Sequence, residues 1–324
     1  MYKYIGIDIS KQTFDAVSFD ENEKKLSLSL SNDKKGFQKL ISKYGKTGHY
    51  VMEATGPYYL QLATFLFEKG VKVSVVNPLV IKRFSQMQLN RAKTDQKDAQ
   101  VIQDYATMHK LKLWEPEPDE IIEMQQIITS IELLNKHHNA VSNQLNAYKS
   151  SGQTSKEVQK TLKKTLKQIE QNISKLENRL EKITEDNFKE TKELLESIPG
   201  IGPKASAKLI ALTNNFQKFE HYKQLIAYVG LSPRIYSSGT SVKGKGHICK
   251  MGKSVIRKQM YISSWSAKFH NKACVNLYSR LKEKGKPERV IKIAIANKLL
   301  KQAFSIVKNK RKYDENFVSK FLVA

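Results

Sequence analysis

The chain has 324 residues, 56 Lys+Arg against 31 Asp+Glu, a formal net charge of +25 and 40% hydrophobic residues. That apolar fraction excludes wholesale disorder and the length accommodates two or three cores, while no apolar run is long enough to cross a bilayer and Met1 to Gly6 lacks a leader pattern. Two cysteines, Cys249 and Cys274, are too few for a disulfide framework or a cysteine-rich zinc site, so a reducing, cytoplasmic setting with no membrane partner is expected.

The first segment alternates strand and helix patterns. Tyr4 to Ile9 is a short apolar strand, and Thr13 to Phe19 and Lys25 to Leu30 alternate as two more, predicting a meander. Lys35 to Tyr44 has helical spacing, His49 to Ala54 reads as a fourth strand broken by Gly56-Pro57, and Tyr58 to Lys69 is helical up to Gly70. Val71 to Val76 is a fifth strand ending at Asn77-Pro78. This β-β-β-α-β-α-β-α order predicts an α/β domain of RNase H-like type over residues 1–115.

From Glu120 to Tyr148, Met124, Ile127, Ile131, Leu134, His138, Val141 and Leu145 recur in steps of three and four. Leu162, Leu166, Ile169, Ile173, Leu176, Leu180 and Ile183 do the same after the turn-rich 150–154. Two heptad seams predict an antiparallel coiled-coil arm over 116–188 that also offers an oligomerisation surface. His138, with no second ligand at helical spacing, reads as a polar register residue.

The remaining segment, 189–324, is expected to be mainly helical. Ile198-Pro199-Gly200-Ile201-Gly202-Pro203-Lys204 reads as the turn of a helix-hairpin-helix, which offers backbone N–H groups to a phosphate, with Gly200, Gly202 and Lys204 as its contacts. The plainer explanation is a helix hairpin with glycines for tight packing.

Four carboxylates stand out. Asp8 interrupts an apolar strand, Glu53 lies near the end of another, and Asp95 and Asp98 stand three apart at a helix start. Singly, a turn, a lysine partner or a helix dipole explains most of them. Together, in this order of elements, they supply the hard oxygen ligands that a pair of Mg²⁺ ions requires, and Mn²⁺ suits the same ligands. Asp15, on the second strand, and Asp104, two helical turns beyond Asp98, are rivals.

Charge is unevenly spread: residues 1–113 carry 18 basic and 11 acidic side chains, 114–233 carry 16 of each, and 234–324 carry 22 and 4. The last segment repels itself unless a polyanion neutralises it, and nucleic acid is the common one. Its basic residues are interleaved with Tyr236, Tyr261, Trp265, Phe269 and Tyr278, which either stack on bases or form core. Across its start runs a Gly/Ser-rich basic stretch, Gly230 to Lys253, expected to be a flexible loop. Its serines, Ser232, Ser237, Ser238 and Ser241, offer a nucleophile, although chemistry alone favours a phosphate-binding loop whose hydroxyls only hydrogen-bond, and Arg234, Lys243, Lys245, Lys250, Lys253 and Arg257 are candidate nucleic-acid contacts.

Tyr4 to Ser10, Glu53-Ala54-Thr55-Gly56, Val75 to Pro78, Lys93-Thr94-Asp95 with Asp98-Ala99, Ile198 to Gly202 and Gly230 through Gly252 together resemble the Piv-type DNA invertases and the related DEDD insertion-sequence transposases, the bridge-RNA-guided recombinases. The resemblance implies a RuvC-like domain whose metal tetrad is Asp8, Glu53, Asp95 and Asp98. It implies a C-terminal transposase domain whose nucleophilic serine, just before the glycine after the Pro-Arg element, is Ser238, forming a covalent phosphoserine link to DNA. It further implies donor and target DNA as substrates, a non-coding bridge RNA, and a dimer assembling to a tetramer near the bacterial nucleoid. Two other functions compete: a RuvC-type structure-selective endonuclease using water as nucleophile, and a non-catalytic nucleic-acid chaperone that needs only the basic surface.

Overall fold

The computed structural model describes residues 3–89, 94–153, 155–234, 237–238, 242–243 and 247–317; of 237–238 and 242–243 only the backbone is described. The chain divides into two compact units, Met1–Pro116 and Glu117–Ala324. Among the described residues no helix is long and apolar enough to cross a membrane.

The first unit contains β1 (Tyr4–Ile9), β2 (Thr13–Phe19), β3 (Lys25–Ser31), α1 (Lys34–Tyr44), β4 (His49–Glu53), α2 (Leu60–Glu68), β5 (Lys72–Val76), α3 (Pro78–Met87) and α4 (Asp95–Met108). Its five-stranded sheet has the order β3-β2-β1-β4-β5. The short links between the first three strands allow only antiparallel pairing, whereas the helical crossovers through α1 and α2 return β4 and β5 parallel to β1. Alternation then sorts the side chains. Ile5, Ile7 and Ile9 face a core with Phe37, Leu40, Leu62 and Leu66, while Val51 packs on the other face with Ile81, Phe84 and Ile102.

Gly6 shares its face of β1 with Asp8, and a Cβ there would lie 2.2 Å from the Ala99 carbonyl oxygen of α4 and 2.4 Å from the Gln103 nitrogen. Only a residue without a side chain lets α4 lie so close against the strand. That close approach carries the first turn of α4 toward the end of β1.

The second unit begins with two long helices, α5 (Asp119–Ser150) and α6 (Lys156–Glu196). They run antiparallel: Arg179 Nε and Nη2 donate to the two carboxylate oxygens of Glu123 at 2.7 and 2.8 Å, and further out His138 Nε2 meets Glu170 Oε1 at 3.1 Å. The helix does not stop at residue 188 but continues to Glu196 through a kink at Phe188 (φ −134°, ψ 26°). The base of the pair, Ile121 to Ile131 and Leu180 to Leu195, joins one apolar core with the helices that follow.

These are α7 (Pro203–Thr213), α8 (Tyr222–Val229), a segment of two-residue strands, β6 (Pro233–Arg234), β7 (Ser237–Ser238), β8 (Val242–Lys243) and β9 (His247–Ile248), then α9 (Ser254–His270), α10 (Lys272–Glu283) and α11 (Glu288–Asn309). In the turn between α6 and α7, Ile198 and Ile201 are buried and Gly200 has φ +104°, with an added Cβ falling 2.6 Å from Ala267 Cβ on α9. Gly200 is therefore a packing residue. Lys204 is paired with Glu177 at 2.6 Å, and of the three turn residues expected at a phosphate, Gly202, the N-cap of α7, has open space beside it.

Candidate active site

The register Ile7↔Met52 puts Asp8 and Glu53 one step further along adjacent parallel strands, on the face covered by α4. Thr94 caps α4 by accepting from Lys97 N, which sets Asp95 and Asp98 in the first turn. Four carboxylates from three elements thus line one cleft of about 1000 Å³, walled on its other side by Pro78, Leu79 and Lys82 at the start of α3. Glu53 is oriented by Thr55, whose hydroxyl donates to Glu53 Oε1 at 2.9 Å.

The electrostatics of this cleft are strained. The Asp8 carboxyl is pushed from its ordinary 3.8 up to about 6, first by burial and then by repulsion from Asp98, Asp95, Glu53 and Asp15. Among the described residues, no three His, Cys, Asp or Glu side chains are gathered tightly enough to ligate one ion. The donor set itself fits a hard divalent cation, because it consists of carboxylate oxygens whose mutual repulsion a cation would cancel.

Two further carboxylates belong to the neighbourhood. Asp15 stands directly opposite Asp8 in the β1–β2 pair and opposite Ser29 of β3, and is 8% exposed. Its carboxyl is raised by burial and by Asp95, and lowered by a hydrogen bond from Ser29. Asp104 lines the same cleft, raised by burial and lowered by Gln88 and Lys25. Asp15 stood among the rivals in the sequence, but only the register that pairs Ile9 with Phe14 sets it opposite Asp8.

In the second unit the described residues of the serine segment, expected as a flexible loop, include two short antiparallel pairings. Pro233 and Arg234 pair with Ile248 and His247, and further out Ser237 and Ser238 pair with Lys243 and Val242. The two ends are fastened by Cys249 N to Ser232 O, Lys250 N to Gly230 O and Lys253 N to Tyr228 O, at 2.8, 3.1 and 2.9 Å. Ser238 pairs with Val242 on the last described rung. Ser241 and Lys245 lie outside the described residues.

Beside the base of this segment is a cleft of about 550 Å³ lined by Lys250, Arg257, Lys258, Tyr261 and Arg289, with Glu132 as its one carboxylate. Lys250 and Arg257 were expected at nucleic acid, and both are here, although Arg257 Nη1 also donates to Val229 O at 2.8 Å and so braces the segment. Arg234 and Lys253 are exposed nearby in sequence, Lys253 as the N-cap of α9.

Residues 5–148 match a family model of DEDD type from the insertion element IS110, described as a transposase, and residues 192–279 match that of the transposase IS116/IS110/IS902 family. The chain is 29% identical to the pilin gene-inverting protein of Moraxella lacunata over 96% of its own length and 98% of that protein's, with the same figures for the Moraxella bovis protein. It is 23% identical to the transposase for insertion sequence element IS1111A of Coxiella burnetii, over 79% of the chain and 75% of that transposase. Two models of one family, matching in order along both units, and relatives aligned nearly end to end agree: the chain belongs to the IS110 family of transposases and DNA-inverting recombinases, and is a DNA recombinase.

Proposed function

We propose that the chain cuts and rejoins DNA strands with two separate pieces of machinery, the carboxylate cleft of an RNase H-like, RuvC-like domain and the serine segment. The observation that carries this reading is the convergence of Asp8, Glu53, Asp95 and Asp98 on one cleft, where burial and like charge raise Asp8 to about 6. These four residues would hold Mg²⁺, or Mn²⁺, which when bound offsets phosphate charge and orients the scissile group. Ser238 is the nucleophile: its Oγ–P bond forms as the bond from phosphorus to one deoxyribose oxygen breaks. The serine proton passes to a base and the departing oxygen takes up a proton, and an incoming strand's hydroxyl reverses the exchange. The backbone pairing of Ser237 and Ser238 with Lys243 and Val242 supports this role by setting Ser238 on a short antiparallel rung. Lys250, Arg257, Lys258 and Arg289 supply the cations that hold phosphate next to it.

The resemblance adds donor and target DNA paired to a bridge RNA, and a tetramer that brings one copy's cleft to another's serine. The test is a nicked DNA substrate incubated with protein and Mg²⁺, then run on a denaturing gel. A protein–DNA adduct that vanishes in Ser238→Ala, with DNA binding retained, is expected. Free cut ends without an adduct would mean a nuclease using water, and an adduct lost only in Ser241→Ala would move the nucleophile by three residues.

A further inference from the structure

The outward face of α9 is built wrongly for a helix that meets only water. Its inward face is Ile256, Met260, Ser263, Ser264 and Ala267, all buried. Directly opposite on the helical wheel stand Lys258, Ile262, Trp265 and Phe269, flanked by the half-buried Tyr261; Ile262 is 50% exposed, Trp265 55% and Phe269 68%. A solvated helix face carries polar side chains, and an aromatic stripe left out of the core marks an interaction surface.

Its cations say what covers it. Lys292 Nζ lies 4.6 Å from the Trp265 ring centre, and Lys268 Nζ lies 4.7 Å from Phe269 and 5.1 Å from Tyr278. Glu288 pairs with Lys268 at 2.9 Å and Lys292 at 3.6 Å and accepts from the Tyr278 hydroxyl; with Glu283 it makes up all the acid on α9 to α11. An apolar stripe inside a strongly cationic field suits a polyanion with flat apolar faces, and a duplex keeps those faces internal. The stripe continues a surface already described, because Lys258, Tyr261 and Arg289 also line the basic cleft at the foot of the serine segment.

We infer that the outer face of α9 is a stacking platform for unpaired DNA bases, with Trp265 and Phe269 as the stacking residues and Lys268, Lys292 and Arg289 along the backbone. The choice of DNA rests on the proposed strand exchange: a cut strand must leave its duplex to change partners, and this platform adjoins the segment proposed to cut it.

The test uses the full chain and an uncut oligothymidylate carrying a fluorescent label, so it does not depend on cleavage or on Ser238. Trp265→Ala and Phe269→Ala alter exposed side chains and leave the core intact. Each is expected to weaken single-strand binding by roughly 5- to 100-fold while binding of a blunt duplex of equal length changes by less than about twofold. With Trp114→Phe leaving Trp265 as the only tryptophan, the single strand is expected to quench its emission and the duplex to leave it unchanged. Unchanged single-strand affinity in both variants would overturn the inference, as would equal losses for single strand and duplex. So would an RNA oligomer bound more tightly and lost selectively, or a change of oligomeric state with binding intact, which would assign the stripe to a second copy of the chain. If Ser238→Ala left the adduct in place but the platform variants lost single strands, the nucleophile would be wrong and the platform would stand.

Discussion

Asp8 is the residue on which the cleft's chemistry and the fold's stability meet. Its carboxyl titrates at about 6 in the fold against 3.8 for an ordinary aspartate. The metal-free fold therefore binds a proton that the unfolded chain has released. The stability tied to that proton is fully present below pH 3.8 and is lost as pH rises through about 6. Asp8→Asn removes the charge but keeps the shape. At pH 7 without divalent ions it is expected to stabilise the protein by about 1–2 kcal/mol, after allowance for solvent screening of a half-buried group, with the gain fading as pH falls through about 6 and gone below 3.8. Urea unfolding across that pH range measures it, and a loss of stability at pH 7 would show that burial and repulsion of the Asp8 charge do not govern the site. Adding Mg²⁺ is expected to stabilise wild type more than the variant, while the variant forms no adduct. Asp8 was legible in the sequence because a carboxylate stood alone in an apolar strand. Asp15 was not: its place opposite Asp8 depends on hairpin register, and a slip of one residue would have turned it to the other face.

At the scale of elements, the five strands of the first unit fall within a residue or two of their sequence patterns, because apolar alternation and the breaks at Gly56-Pro57 and Asn77-Pro78 are local signals. What the patterns withheld was closeness. Nothing in the alternation of β1 says that Gly6 is the point where α4 rests on the strand. Gly6→Val is expected to destabilise the protein by about 1–3 kcal/mol and to move the first turn of α4, so that Asp95 and Asp98 retreat from Asp8. The check is a pair of measurements, thermal unfolding and the Mg²⁺-induced gain in stability; a variant that loses the first but keeps the second in full would separate α4 packing from the site. The short pairings within the serine segment were hidden for a different reason. Glycine and serine content describes freedom in the unfolded chain, whereas the pairing of Arg234 with His247 and the fastening of Cys249 to Ser232 come from residues distant in sequence. The turn at Gly200 shows the same limit, since only the packed structure reveals that its partner is Ala267.

For the whole molecule the charge distribution matters more than its total. With 22 basic and 4 acidic residues after position 233, nucleic-acid affinity is expected to fall steeply with salt, the logarithm of the binding constant dropping by about 0.9 per phosphate contact for each unit in the logarithm of salt concentration. Replacing Lys250, Lys258 and Arg289 with Gln is expected to make that slope shallower by about 3 on duplex DNA, whereas Trp265→Ala leaves it alone. Titrations at several salt concentrations distinguish the two, and a salt-insensitive complex would remove the electrostatic reading. Heptad spacing revealed the long helix pair, but not that α6 runs on to Glu196 and shares a core with α9 and α11, because the spacing is the same for a free arm and for its rooted base.

That rooting divides the pair into two parts with different tolerance of change. The buried core takes its residues from Ile121 to Ile131 and from Leu180 onward, so the outer stretch of α5 and α6 is held mainly by its own partner helix. Matched insertions or deletions of whole heptads there would keep both seams in phase and leave the root undisturbed. Reach is thus a heritable dimension that this architecture can adjust on its own, lengthening or shortening the span between whatever grips the far end and the machinery at the base.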